Sequence, residues 1–125
     1  MIIEKIALNK VTATTTSEII DVKYAKKVSL LFIRADHGSG KTVFSVEASL
    51  NGTTFFTYNK LIPNVANSNA QTLTRVASYD TGAANATALY SLDLENDIIS
   101  AIKITATETT DGTHSAKVYI ETDED

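Results

Sequence analysis

Hydrophobic and polar residues alternate with a period of two along most of the chain. Two segments show this best: one set is Phe44, Val46, Ala48 and Leu50, and the other is Ile98, Ser100, Ile102, Ile104 and Ala106. Successive side chains of a β-strand point to opposite faces, so each set lies on one face of a strand. Val118 and Ile120 repeat the pattern further along. We predict one core containing Phe44, Val46, Ile102, Ile104, Val118 and Ile120.

Further segments indicate additional strands. Residues 28–33 are apolar on both faces, as expected of a central strand that is covered on each side. Weaker candidates are residues 3–8, 18–23, 55–59, 71–79 and 87–94. No segment keeps a helical apolar stripe for ten residues. The pattern therefore predicts about eight strands, nine at most.

Turn residues separate these strands. Asn51-Gly52 and Asp111-Gly112 each stand between two alternating runs, and both dipeptides tolerate the positive φ of tight hairpin turns. Residues 37–40 predict a third turn, and residues 63–69 a longer loop. Together these features predict an all-β fold: an antiparallel, jelly-roll-like β-sandwich that forms a single domain over residues 1–125.

Composition excludes several classes of protein. The net charge of −4 argues against sequence-independent nucleic-acid binding, and the small basic group of Lys23, Lys26 and Lys27 is typical of a solvated strand edge. With no cysteine, disulfides, thiolate zinc sites and a cysteine nucleophile are all excluded. No apolar stretch is long enough for a signal peptide or a membrane span. We therefore expect cytoplasmic synthesis and no membrane partner.

Residues 35–42, Ala-Asp-His-Gly-Ser-Gly-Lys-Thr, match a loosened phosphate-loop pattern with Ala in place of the first Gly. That motif needs a helix directly after its Lys-Thr pair, because the phosphates rest on the N-terminal amides of the helix. Here Lys41-Thr42 is followed by residues that alternate as a strand does. We predict a glycine-rich turn and no nucleotide site.

Two groups of residues suggest metal ligands. Asp93, Glu95 and Asp97 are spaced two apart like the start of a calcium loop, but Ile98 and Ile104 occupy the positions of the required Gly and Glu. An irregular calcium site in this loop stays open beside a plain solvated turn. His37 and His114 lack the paired spacing of zinc ligands, and we expect both to be exposed in turns. No metal or cofactor is predicted.

Aromatic residues follow the Asn51-Gly52 turn. Phe55, Phe56 and Tyr58 can form a platform for sugar stacking, but adjacent strand residues point to opposite faces, so at least one of the two phenylalanines is expected in the core. No Gly-x-Ser-x-Gly elbow is present, and no catalytic residue stands out. We therefore predict that the chain is not an enzyme; a small hydrolase or a nucleotide-binding enzyme is the least favoured class.

Residues 43–55 carry a resemblance to a known group of proteins. They form an alternating run followed by Ser-Leu-Asn-Gly-Thr-Thr-Phe. This resembles a hairpin common in β-sandwich proteins of tailed-phage particles, with Asn51 where Asp is commoner and Phe55 where Trp is commoner. The resemblance covers about a tenth of the chain, and carbohydrate-binding and cell-surface sandwiches share the hairpin.

The resemblance implies a structural protein of the virion, either a head-decoration, auxiliary capsid or tail-associated component. It further implies assembly as a symmetric homo-oligomer, with a trimer expected from the three-fold positions of shells, and contacts with capsid or tail proteins. The alternative is a carbohydrate-binding or receptor-binding β-sandwich module that recognises surface glycans.

Overall fold

Strands account for most of the molecule. The computed structural model describes residues 1–36, 38–63, 75–109 and 111–123, and within them it contains eleven strands and no helix. The strands are β1 Ile2–Val11, β2 Thr15–Thr16, β3 Ile20–Asp21, β4 Ala25–Ala35, β5 Thr42–Ser49, β6 Phe56–Thr57, β7 Ile62–Pro63, β8 Ser78–Asp80, β9 Ala86–Ser91, β10 Ala101–Glu108 and β11 Thr113–Thr122.

The strands build two antiparallel sheets that pack against each other. The first sheet has the order β1-β11-β4-β9-β7, and the second has the path β2-β10-β5-β6. Strand β3 also pairs with β10, and β8 with β5. Since β2 and β3 share one edge and β6 and β8 share the other, the second sheet is four positions wide, and the first is five. The predicted antiparallel β-sandwich is confirmed, with eleven strands in the described residues where about eight were expected.

The chain changes sheet at most of its connections, and this corrects two predicted hairpins. Strands β10 and β11 flank Asp111-Gly112 but lie in different sheets, and so do β4 and β5, which flank residues 38–41. Gly40 and Gly112 do have positive φ, of 69° and 114°. A sharp turn needs that backbone conformation whichever sheet the chain enters next, so the dipeptide could not distinguish a hairpin from a crossover.

One predicted hairpin does join paired strands. β5 and β6 are antiparallel neighbours, with Ala48 opposite Phe56. The connection spans residues 50–55, longer than a two-residue turn, and the Asn51 side chain organises it. The Oδ1 atom of Asn51 accepts hydrogen bonds from the backbone amides of Thr53 and Thr54. Asn is favoured in turns because its side chain can replace a backbone acceptor in this way.

The core lies between the two sheets and contains the predicted residues. Phe44, Val46, Ile102, Ile104, Val118 and Ile120 are all buried. Phe32 of β4 and Phe44 of β5 stack across the two sheets with 4.8 Å between ring centroids. Aromatic stacking at this distance adds to the area that the rings bury.

Three assignments of faces require correction. Leu50 and Ile98 are exposed, because β5 ends at Ser49 and β10 begins at Ala101, so neither residue continues the alternation of its strand. Strand β4 is central in its sheet, but only one of its faces is fully buried: Leu31 and Ile33 on the other face are half-buried. The predicted loop over residues 63–69 lies outside the described residues except for Pro63.

Candidate functional site

The two ends of the sandwich differ in character. The loop end contains residues 38–41, 80–84 and 111–113, where β5 and β11 begin and β4 and β10 end. The apolar end contains residues 22–25, 50–60 and 95–100, where β4 and β10 begin and β5 ends. The loop end holds the phosphate-loop match and a buried polar cluster.

The segment that matches a phosphate loop is arranged for internal contacts. Strand β5 begins at Thr42, so a strand follows the Lys-Thr pair, as predicted. The amides of Gly38 and Ser39, which a phosphate would need, both donate to Asp111 Oδ1 at 2.9 Å. Lys41 Nζ lies 3.0 Å from Asp80 Oδ2. The amide groups and the ammonium group are therefore already bound within the chain.

A single guanidinium group holds the loop end together. The side chain of Arg34 is completely buried and donates to four backbone carbonyls at 2.8 to 3.0 Å, those of Ser39, Gly40, Gly82 and Asp111. Buried charge is tolerated only when it is paired and hydrogen-bonded. Arg34 thus links three connections that are distant in sequence, and this role is structural.

His114 belongs to the same region, and its predicted exposure is wrong. It lies in β11 and is fully buried, with Nδ1 2.9 Å from Thr42 Oγ1 and Nε2 3.5 Å from Glu108 Oε1. A hydroxyl, an imidazole and a carboxylate in this order occur in acyl-transfer sites. Because Thr42 and His114 have no exposed surface, a substrate from outside cannot reach this hydroxyl. The second histidine, His37, lies outside the described residues.

The spaced carboxylates do not converge on one point. Asp93 is buried. Its carboxylate accepts hydrogen bonds from Arg75 Nε at 2.9 Å and from the side-chain amide of Asn96. These bonds, that from Asn96 foremost, hold the pKa of Asp93 below its usual value. Asp97 pairs instead with Lys60 at 2.9 Å, and Glu95 is exposed. Within the ranges described, no three His, Asp or Glu side chains are grouped to hold a metal ion.

The aromatic residues after Asn51 occupy three different environments. Phe55 is half-buried beneath Lys103 Nζ, which lies 4.3 Å from the ring centroid. Phe56 is 48% exposed, and Tyr58 is buried. The expectation that Phe55 or Phe56 enters the core is therefore wrong, because the core position of this segment is filled by Tyr58. Phe56 is the ring that faces solvent.

Phe56 belongs to a groove at the apolar end. The groove has a volume of about 290 Å³, and Leu50, Phe56 and Ile98 are among the residues that line it. Leu50 is 60% and Ile98 80% exposed. Polar side chains of the neighbouring residues, among them Asn59 and Asn96, form its rim. Three large hydrophobic residues, two from connections and one from β6, are thus brought together on the surface.

Tyr58 and Asp97, which both line the groove, are hydrogen-bonded to each other. The Tyr58 hydroxyl accepts a bond from the Asp93 amide at 2.8 Å and donates to Asp97 Oδ2 at 3.3 Å. Burial, with the nearby carboxylates, raises the pKa of Tyr58 to about 12. Because Lys60 and Asp97 neutralise each other at the rim, the groove carries no net charge. It suits an uncharged, apolar group.

Sequence reasoning missed this groove. Alternation alone puts Leu50 on the face of Phe44 and Ile98 on the face of Ile102, and the signal against this is local. Leu50 directly precedes Asn51-Gly52, and Ile98 follows the polar run of Glu95, Asn96 and Asp97. Residues beside turns often lie past the end of the strand, where the alternation no longer specifies a face.

Comparisons with protein-family models, with curated proteins and with solved structures find no match to this chain. The part of the chain that the structure describes has no helix long and apolar enough to cross a membrane.

Proposed function

We propose that this chain is a non-enzymatic structural component of a virus particle, of the head-decoration, auxiliary capsid or tail-associated kind, and that it acts through protein–protein assembly. The observation that carries the proposal is the exposed apolar groove of Leu50, Phe56 and Ile98. A single large hydrophobic residue on the surface is common, but a cluster of them with a polar rim is typical of an interaction site.

The chemistry of the groove favours a protein partner. Binding interfaces between proteins are anchored by a few large apolar side chains that fill pockets, and a volume of about 290 Å³ accommodates one such anchor. The charges of Lys60 and Asp97 at the rim neutralise each other, so the partner surface needs no net charge. We therefore propose that an uncharged, apolar anchor of a capsid or tail protein occupies the groove.

Tyr24 adds a further contact residue at the same end. Its side chain is 90% exposed, and its φ of 65° is unusual for a residue other than glycine. Such backbone conformations cost free energy and persist where the surrounding structure fixes them, often at functional surfaces. The resemblance of residues 43–55 to hairpins of phage-particle proteins supplies the choice of a virion among possible assemblies.

The test is to look for the chain in particles. Virus particles purified from the source should contain it at a fixed copy number by quantitative mass spectrometry. Recombinant protein should co-sediment with particles that lack it, while Phe56→Ser and Ile98→Ser should weaken that binding at least about tenfold, the loss of one anchor. Ile19→Ser, at an exposed isoleucine outside the groove, is the matched control. Protein that is abundant in lysates and absent from particles would contradict the proposal.

A carbohydrate-binding module remains the second candidate, because the half-exposed ring of Phe56 lies beside the amide side chains of Asn59 and Asn96. Sugars stack on such rings and bond to such amides. A glycan array separates the two candidates. Binding of one defined glycan by a protein that ignores particles, with loss of binding in Phe56→Ala, would replace the structural proposal with this one.

A further inference from the structure

The buried cluster around His114 contains polar atoms that the fold does not use. Among the described residues, His114 Nε2 and Glu108 Oε1 have no hydrogen-bond partner, although both atoms are buried. They face each other at 3.5 Å. Buried polar atoms without partners are rare in folded proteins, because they lose their contact with water and gain no bond in exchange. Where such a cluster persists, a chemical role is one explanation for it.

The geometry makes His114 a base for the hydroxyl group of Thr42. Nδ1 of the imidazole lies 2.9 Å from Thr42 Oγ1. Because Nε2 faces a carboxylate oxygen of Glu108, this nitrogen carries the proton of the neutral ring, and Nδ1 is left to accept the hydroxyl proton. Glu108 is a positioning residue: it orients the ring and stabilises the imidazolium that forms, as the carboxylate of a hydrolase triad does.

The carbonyl group within reach of this hydroxyl belongs to the chain itself. Thr42 has no exposed surface, but its own side chain is joined to the peptide bond that links it to Lys41. Attack on the Lys41 carbonyl carbon closes a small ring of that carbon with N, Cα, Cβ and Oγ1 of Thr42, and a reaction within one molecule gains from proximity. Arg34 holds the segment before this bond through the carbonyls of Ser39 and Gly40.

Hydrogen bonds also fix both sides of this peptide bond. The Lys41 carbonyl oxygen accepts from the Thr109 amide at 3.1 Å and from the Thr109 hydroxyl at 3.2 Å. Donors in such positions stabilise the oxyanion of acyl transfer. The Thr42 amide donates to Thr81 Oγ1 at 3.1 Å, so the leaving nitrogen is held as well. A nucleophile, a base and two oxyanion donors therefore surround one peptide bond.

We propose that the chain cleaves itself between Lys41 and Thr42. The Thr42 hydroxyl gives its proton to His114 Nδ1 and attacks the Lys41 carbonyl carbon. The C–N bond then breaks, and the imidazolium returns the proton to the Thr42 nitrogen, which leaves an ester between the two residues. Water hydrolyses this ester to a carboxyl group on Lys41 and a free hydroxyl on Thr42. The inference goes beyond the proposed function, because it concerns the loop end and a reaction that occurs once in each chain.

Mass spectrometry of the purified chain tests the reaction. Wild-type protein at neutral pH should yield fragments 1–41 and 42–125. Hydroxylamine, which captures esters, should speed their formation and leave a hydroxamate on Lys41. The fragment masses separate this cut from one at Asn51-Gly52, a bond that hydroxylamine also attacks.

Variants at Thr42 identify the nucleophile. Thr42→Val keeps the shape of the side chain without its hydroxyl and should abolish cleavage, whereas Thr42→Ser should retain it. Thr113→Val is the matched control and should cleave as the wild type does, because this threonine begins a strand at the same end but binds Asp36 instead of an imidazole. Circular dichroism verifies that each variant is folded.

Variants of the other two groups separate chemistry from packing. His114→Gln should slow cleavage at least about 100-fold, the usual contribution of a general base. Glu108→Gln keeps the size of the side chain but not its charge and should slow cleavage, and Glu108→Asp should restore part of the rate. A wild-type chain that stays uncut at Lys41 in hydroxylamine, or a cut there that survives Thr42→Val, would overturn the inference. Both results are independent of particle binding, which is scored through Phe56 and Ile98.

Discussion

At the scale of single residues, the most consequential side chains are polar ones inside the fold. Arg34 donates to four backbone carbonyls from three separate connections, and the Tyr58 hydroxyl connects Asp93 with Asp97. A buried polar group left without a partner costs more than an average hydrogen bond gains. These residues therefore fix which loops meet at each end, while the apolar residues supply the bulk of the stability.

Ile102 tests the core assignment. Its side chain is completely buried, so Ile102→Ala should lower the free energy of unfolding by about 2–5 kcal/mol through lost transfer energy and a residual cavity. Urea denaturation provides the measurement. Thr107→Ala, an exposed change in the same strand, should alter stability by less than about 0.5 kcal/mol. A loss below about 1 kcal/mol for Ile102→Ala would place its side chain outside the core.

Tyr58 predicts a loss of stability in alkali. The folded protein holds its phenol proton up to a pKa of about 12, whereas the unfolded chain releases it near pH 10. Between those values the unfolded state binds fewer protons, so the free energy of unfolding falls as pH rises. Urea midpoints measured between pH 8 and 12 should show this fall.

Tyr58→Phe isolates that contribution. It keeps the ring but removes the hydroxyl, so the fall above pH 10 should become shallower. At neutral pH the variant should lose about 1–3 kcal/mol, because the Asp93 amide loses its acceptor. Burial or a neighbouring carboxylate also raises the pKa of three other tyrosines, Tyr79, Tyr90 and Tyr119. Because the wild type and Tyr58→Phe both contain these three, they do not contribute to the difference between the two curves. Parallel curves for the two proteins would contradict the assignment.

At the scale of elements, the sequence predicted strands better than it predicted their partners. Alternation identified β5 and β10 because both have one face in the core and one outside it. Asp111-Gly112 signalled a turn but not a change of sheet, since a positive φ serves both. The groove was missed for a related reason. Leu50 and Ile98 lie beyond strand ends, and no local pattern encodes where two separate connections meet in space.

The start of β5 gives a test at this scale. Because a strand follows Thr42, ATP and GTP should show no binding in isothermal titration calorimetry. Lys41→Ala should leave the thermal midpoint nearly unchanged, since its pair with Asp80 is half-exposed and such pairs contribute at most about 1 kcal/mol. Micromolar nucleotide affinity that disappears in Lys41→Ala would overturn the interpretation of residues 35–42 as a turn.

At the scale of the whole molecule, the two ends of the sandwich differ in what they can bind. At the loop end, the amides of Gly38 and Ser39 and the ammonium group of Lys41 are all bound within the chain. At the apolar end, Leu50, Phe56 and Ile98 are exposed beside the paired charges of Lys60 and Asp97. A small apolar groove of this kind favours insertion of an anchor from another protein.

The neighbouring positions of β1 and β11 also have a kinetic consequence. These strands are the first and last of those described, yet they pair side by side, with Ile3 opposite Ile120. A ribosome therefore releases most of the apolar strands before the last partner of that sheet exists. Folding dominated by such distant pairings is slow, on the order of milliseconds to seconds. During synthesis the nascent chain passes through a period in which the edges of β1 and β4 are unpaired and can bind incorrect partners. Protection by chaperones matters most in that period.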